Sequence, residues 1–193
     1  MHSRSSSARQ LDPYSAVASG WTGHLLDLLG RSGEGIRELR RALEIDSTNP
    51  VPLHMMTEAQ YYSGNRAEAK RYVDALTRNV GLNVWNISAA ALRAEMGEPT
   101  RARQMLRALE TQTHPDRLTA LRRATLLAGL ADTTRFFDAL ERATAEREPW
   151  PTWYSLSERR LDFARRSPRF AAIVRQVGLD DRIFTSPNGG RSR

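Results

Sequence analysis

The sequence predicts an all-α fold, an α-α superhelix of about four helical hairpins closed by C-terminal capping helices. The first observation is an internal period, because small or apolar residues recur in register at steps of 34, 33 and 34 residues. The second is composition, since 40% of the residues are hydrophobic but few of them form β-branched runs. A period of this length, with one antiparallel helix pair per unit, is typical of a helical repeat array.

Five columns of residues share these steps. The turn column holds Gly30, Gly64, Gly97 and Ala131. The column upstream of the turn holds Gly23, Thr57, Ala90 and Ala124. Those downstream hold Gly35, Ala69, Ala102 and Phe136, then Leu39, Val73, Leu106 and Leu140, then Ala42, Leu76, Leu109 and Ala143. Small and apolar residues in register are expected where packed helices approach one another closely.

The stretch 61–76 shows how each hairpin turns. Gly64 is placed to end a helix with a positive φ. Asn65 is placed to N-cap the next helix, with Glu68 three residues later completing a capping box. The recurrence of residues that end one helix and start the next predicts four helix pairs. They lie near 15–30 with 33–46, 50–63 with 66–79, 83–96 with 99–112, and 117–130 with 133–147.

These pairs define the expected domain organisation. The array extends over 14–179, with repeats at 16–49, 50–83, 83–116 and 117–150 and a cap at 151–179. Two short helices near 155–166 and 168–177 form that cap. A disordered leader at 1–13 and a flexible tail at 180–193 flank the array. The first repeat has no cap, so its outer face is expected to be partly exposed, as a docking site for another domain or as a dimer surface.

The columns give the chain a resemblance to the tetratricopeptide repeat (TPR) family. Repeat 50–83 carries the motif best, through Leu53, Met56, Tyr61, Gly64, Ala69 and Val73. Two positions depart from it: Gly35 replaces the usual Ala of a second helix, and Phe136 occupies the small column of the last repeat. The resemblance implies a right-handed superhelix with a concave groove, which is lined by the first helix of every pair and binds a segment of a partner protein.

The end of the chain carries a second resemblance. Residues 140–179 are similar to the tail that closes TPR arrays in some bacterial multidomain signalling proteins, where the array follows a DNA-binding domain or a Ser/Thr kinase domain. The matching pieces are Leu140 to Ala143, Phe163, Pro168 to Phe170 and Val177 to Leu179. This resemblance implies that the chain is the sensor or scaffold part of such a system.

Apolar and aromatic side chains with a few charges are predicted to line the groove, a composition that suits a bound peptide segment. The candidates are Trp21, His24, Asp27, His54, Met55, Glu58, Tyr61, Tyr62, Ile87, Ala91 and Arg122. Each of them is about as well placed for the core between repeats as for contact with a ligand.

Charge supplies one alternative hypothesis. The net charge is +7, and the excess lies in 151–193, which hold nine basic and four acidic residues. A nucleic-acid or other anion site would use Arg159, Arg160, Arg165, Arg166 and Arg169. A third interpretation is a structural dimerisation module that pairs through the first repeat.

The sequence predicts no enzyme, cofactor or metal. The absence of cysteine excludes disulfides and thiolate chemistry. The sequence has no GxSxG, no phosphate-binding glycine loop and no histidine pair at i,i+4. No apolar run reaches the roughly 18–20 residues of a membrane span, and MHSRSSSARQ lacks the apolar core of a secretory signal. A cytoplasmic protein is expected, or an extracytoplasmic one if the array derives from a membrane-anchored parent.

Overall fold

All secondary structure in the described residues is helical, which confirms the predicted all-α fold class. The computed structural model of the chain describes residues 15–77, 82–111, 119–148 and 159–178. The helices are α1 (Ala16–Leu28), α2 (Ser32–Ile45), α3 (Pro50–Tyr62), α4 (Arg66–Leu76), α5 (Val84–Glu95), α6 (Thr100–Glu110), α7 (Thr119–Gly129), α8 (Thr133–Ala145), a 3-10 helix (Arg159–Leu161) and α9 (Pro168–Gln176). The expected leader at 1–13 and tail at 180–193 lie outside the described residues.

The turn column forms the same structure four times. Gly30, Gly64, Gly97 and Ala131 have φ values of +79°, +86°, +94° and +57°. In each turn this residue donates its N–H to the carbonyl three residues earlier, and the next residue donates to the carbonyl five residues earlier. These paired bonds are a Schellman motif, which satisfies the last carbonyls of a helix. The predicted helix ends at these four positions are therefore confirmed.

The predicted capping box at Asn65 is wrong. The Asn65 side chain makes no cap hydrogen bond to α4 and instead donates from Nδ2 to Oε1 of Gln60, at 2.9 Å. The Glu68 carboxylate accepts from Arg71 at 2.8 Å. The Schellman turn already holds the Asn65 N–H against the Gln60 carbonyl, and this places the amide beside the end of α3 rather than over the start of α4.

The described residues form two compact units, one of residues 15–77 and one of residues 82–178. In the first unit, α1 and α2 pack in backbone contact, because a Cβ at position 35 would lie 2.6 Å from the carbonyl oxygen of Gly23. Only glycine fits there, which explains why Gly35 stands where the repeat motif has alanine. The core of this unit is built from Leu39, Met55, Met56 and Ala59, with Trp21, Ile36, Leu43, Val51 and Tyr72 packed against it.

The second unit contains α5 to α9 and a larger apolar cluster. Its largest buried side chains include Phe136, Phe170, Ile87 and Leu127. Phe136, in the small column of the last repeat, packs edge-on against Phe137 and Phe163, with ring centroids 5.1 and 5.2 Å away.

The cap differs from its predicted form. In the described part of the expected 155–166 helix, Arg159–Leu161 is a 3-10 helix and turns follow it. Ser167 is extended because it precedes Pro168, so α9 begins as a separate helix with Ser167 as its N-cap. Within the described residues, none of the helices combines the length and apolar composition that a membrane crossing requires.

Candidate functional site

The first helices of the two hairpins in the first unit hold most of the predicted groove residues. Ser15 N-caps α1 by accepting from the Ala18 N–H at 3.2 Å. Asn49 N-caps α3 by accepting from the Val51 N–H at 3.1 Å, and Pro50 opens that helix. The two helices are neighbours, since a Cβ at Gly20 would make ordinary contact with Pro52 at 3.5 Å. Local sequence therefore fixes where both helices start and places them side by side.

Four ring-bearing side chains on α1 and α3 remain half-buried, and we call them the aromatic set: Trp21, His24, Tyr61 and Tyr62. Trp21 and His24 meet edge to face, with ring centroids 5.7 Å apart. The rings of Tyr61 and Tyr62 lie 5.1 Å apart at 59°. Arg66, exposed at the start of α4, holds its guanidinium carbon 5.8 Å from the Tyr61 ring centroid, within the range of a cation–π contact.

Four other predicted residues of this unit are buried: Asp27, His54, Met55 and Glu58. Met55 belongs to the apolar core. His54 and Glu58 face each other one turn apart on α3, with 3.6 Å between Nε2 and Oε1. A ligand would not reach these four side chains without a rearrangement of the helices. Of the four, Met55 belongs to the core against which Trp21 packs.

In the second unit, the predicted residues Ile87 and Ala91 are buried, and Arg122 is half-buried. Ala91 is covered by the backbone of α7, because a Cβ at Gly129 would lie 2.5 Å from the Ala91 carbonyl oxygen. Arg122 is therefore the accessible member of the predicted set in this unit.

Three of the five arginines in the alternative anion site are paired with carboxylates. The side chain of Arg160 is 1% exposed, with Nε 3.4 Å from Oε1 of Glu95. Arg165 pairs with Asp162. Arg169 binds Glu141 and Asp138, both at 2.8 Å, and these bonds hold the pKa of its guanidinium above the ordinary value.

The remaining two arginines of that site differ in exposure. Arg159 is half-buried and Arg166 is exposed. Since three of the five arginines pair with carboxylates, this set offers less positive charge to an anion than its sequence indicates.

The sequence analysis missed Arg66 beside the aromatic set and the exposed arginines of α2 and α6. Arg66 was not expected at the aromatic set, although its place directly after the Gly64 turn would have indicated it, because that turn brings the start of α4 to the end of α3. Exposed arginines also follow the outer sides of α2 and α6. They are Arg37, Arg40 and Arg41 on α2, and Arg101, Arg103 and Arg107 on α6. Counting charge in long segments hid them, because each segment is close to neutral.

Among the described side chains, no group of three or more His, Asp or Glu residues could hold a metal ion. No protein-family model matches the chain, and no curated protein or solved structure matches it significantly.

Proposed function

We propose that this chain is a protein–protein interaction module of the TPR type, which binds a peptide segment of a partner protein on the aromatic set. The observation that carries this proposal is the exposure pattern of the first unit. Trp21, His24, Tyr61 and Tyr62 remain half-exposed on two neighbouring helices whose other predicted groove residues are buried.

Large rings held on rigid helices are efficient binding groups. Aromatic side chains bury much apolar area and have few rotatable bonds, so they lose little entropy when a ligand immobilises them. Tryptophan and tyrosine are for this reason enriched among the residues that dominate binding energy. Trp21 is already fixed by packing on the core of the unit, and Tyr61 is fixed between Tyr62 and Arg66. The surface is thus largely preorganised.

The spacing of the rings indicates the size of the bound segment. The contact between Gly20 and Pro52 sets the offset of the two helices. For parallel helices, this offset puts Tyr62 one to two turns beyond His24, with their backbones roughly 10–13 Å apart. An extended peptide covers that distance with about three or four residues. Apolar or aromatic side chains would contact the rings, and an acidic group at one end would pair with Arg66. This composition defines the class of partner segment that we propose.

The similarity of residues 140–179 to the tails of arrays in bacterial signalling proteins supports a role as scaffold or sensor in a regulatory system of that kind. A nucleic-acid or anion-binding function at the C-terminal arginines has less support, because Arg160, Arg165 and Arg169 already pair with carboxylates. We therefore favour peptide binding over the alternative.

A displayed peptide library, selected on the purified chain, tests the proposal. We expect enrichment of short apolar or aromatic segments with an acidic residue near one end. Their binding should survive moderately high salt, since burial of rings responds weakly to salt whereas phosphate binding falls steeply with it. Tyr61→Ala/Tyr62→Ala should weaken binding at least tenfold, and Tyr61→Phe/Tyr62→Phe should largely retain it.

The control is Lys70→Ala/Arg71→Ala, which changes two exposed side chains on α4 in the same unit and should leave peptide binding unchanged. Circular dichroism on every variant establishes that the fold is retained. Failure to enrich any peptide, or enriched peptides that bind the double alanine variant as well as the parent, would contradict the proposal. Salt-labile capture of nucleic acid would favour the arginine alternative instead.

A further inference from the structure

α1 is a surface helix whose exposed side carries almost no charge. Its one acidic residue, Asp27, is buried, and it contains no lysine or arginine. Three arginines are by contrast exposed on the neighbouring helix α2. An uncharged helix face on a chain with 26% charged residues is a candidate interaction surface.

Three residues on the outer side of α1 form a stripe with Leu29, the C-cap of the helix, and we call these four the α1 seam: Ala18, Thr22, Leu25 and Leu29. Leu25 is 44% exposed and Leu29 is 72% exposed. The Thr22 hydroxyl donates to the Ala18 carbonyl at 2.9 Å, so it needs no partner elsewhere. The spacing of four, three and four residues is that of a helix–helix packing seam.

The repeats indicate what kind of element covers such a surface. Leu25 has the repeat counterparts Ala59, Leu92 and Leu126, which are 1%, 0% and 0% exposed. Ala59 belongs to one core with Leu39, which lies on the preceding hairpin. In the first unit, this column therefore lies where the two helical hairpins pack against each other. In the first repeat the same column is exposed, and a helical partner fits it.

We propose that the occupant of the α1 seam is a second copy of this chain, packed antiparallel about a two-fold axis near residues 23 and 24. The seam is symmetric about that point, with small residues at one end and large ones at the other. Ala18 then faces Leu29 of the partner subunit, and Thr22 faces Leu25 of the partner subunit. Small side chains meet large ones at all four positions, as dense packing requires.

Charge favours the same occupant. A second α1 brings no charged side chain into the seam, whereas the outer sides of α2 or α6 would bury several guanidinium groups there at a high desolvation cost. Area sets the strength. α1 has 13 residues, so its outer side measures roughly 20 by 10 Å. This footprint is well below that of a standard stable interface, so we expect weak, reversible self-association.

Sedimentation equilibrium on the full chain tests the proposal. We expect a reversible monomer–dimer equilibrium, which Leu25→Glu and the more exposed Leu29→Glu each weaken at least a hundredfold, because each would place a carboxylate in an apolar seam. Val84→Glu is the matched control, since Val84 is an apolar residue that is 54% exposed in the second unit. It should leave the equilibrium unchanged, and circular dichroism checks the fold of each variant.

A monomer at every concentration would overturn the proposal and leave the face to chain segments that precede α1 or to another protein. A dimer that both glutamate variants retain, or that Val84→Glu dissolves, would overturn it as well. Tyr61→Ala/Tyr62→Ala should still dimerise, so this test and that of peptide binding can fail separately.

The chain has no cysteine, so single cysteine variants report the register directly. In the antiparallel seam, Ala18→Cys and Leu29→Cys copies form a disulfide when they are mixed under oxidation, because those positions face each other across the axis. Neither variant alone should crosslink, since each cysteine lies roughly 16 Å along the axis from its own mate. Crosslinking of either variant with itself would contradict the antiparallel arrangement.

Discussion

Gly129 and Ala91 are in backbone contact: a Cβ at position 129 would lie 2.5 Å from the carbonyl oxygen of Ala91 and 2.6 Å from its Cα. Gly129→Ala is therefore expected to lower the free energy of unfolding of the second unit by about 1–3 kcal/mol, because α5 and α7 must move apart. In an open helix the same substitution would raise that free energy by about 1 kcal/mol. Urea denaturation followed by circular dichroism measures the difference.

Gly33→Ala is the control for this prediction. A Cβ at Gly33, on α2, would meet only the end of the Arg37 side chain, at 3.9 Å. We expect this variant to be more stable than the parent by about 0.5–1 kcal/mol. If Gly129→Ala were equally stabilising, the close packing of α5 and α7 would be refuted.

Ala131 is strained, because it takes a φ of +57° at a position where the other three repeats have glycine. The left-handed conformation costs an L-residue roughly 1–2 kcal/mol. We expect Ala131→Gly to raise the free energy of unfolding by about 0.5–1 kcal/mol after the larger chain entropy of glycine is counted. Gly64→Ala should have the opposite effect and about the same size. Thermal unfolding of both variants checks this, and two changes of the same sign would be inconsistent with a shared turn.

Glu148 holds the start of α7 through a buried carboxylate. Its Oε1 and Oε2 accept from the N–H groups of Ala120 and Leu121, at 3.1 and 2.8 Å. Glu148→Ala removes both bonds at the positive end of the helix and should cost about 2–3 kcal/mol. Glu148→Gln retains an acceptor without the charge and should cost less. Equal losses in denaturation experiments would mean that the carboxylate acts by packing alone.

Asp46, in the loop between α2 and α3, predicts a pH dependence for the first unit. The N–H and hydroxyl of Thr48, at 3.0 and 2.9 Å, hold the pKa of Asp46 below its ordinary value of 3.8. A carboxyl whose pKa is lower in the folded state contributes stability above its unfolded pKa, and that contribution is lost as the pH falls through the folded value.

The melting temperature should therefore fall less between about pH 4 and pH 2 in Asp46→Asn than in the parent chain. Above pH 5, where Asp46 is ionised in both states, the two chains should show parallel pH profiles. Identical acid profiles for the two chains would show that the loop hydrogen bonds do not act on folding.

The helical repeats were predictable from sequence because backbone geometry alone enforces them. A Schellman turn needs a positive φ at one position in every hairpin, so glycine recurs there, and even Ala131 was correctly placed by its register. Burial of the groove residues was not predictable in the same way. His54 and Glu58 share the helical face expected for a ligand, but exposure depends on what packs against that face, and the period does not encode it.

Charge was misjudged for a similar physical reason. Arg169 reaches Asp138 and Glu141, which lie 31 and 28 residues earlier in the chain. Local counting of charge misses a pair that forms only when α9 folds against α8. The exposed arginines of α6 were overlooked because the segment that contains them is nearly neutral.

Helix α1 carries both Trp21 of the aromatic set and the seam that is proposed to pair with a second copy. The two surfaces are therefore parts of one rigid body, and any displacement of that helix is felt at both. Thermodynamic reciprocity then sets a condition that needs no further structural detail. If a bound peptide changes the self-association constant by some factor, self-association changes the affinity for the peptide by the same factor. A titration of the peptide therefore also measures its effect on self-association.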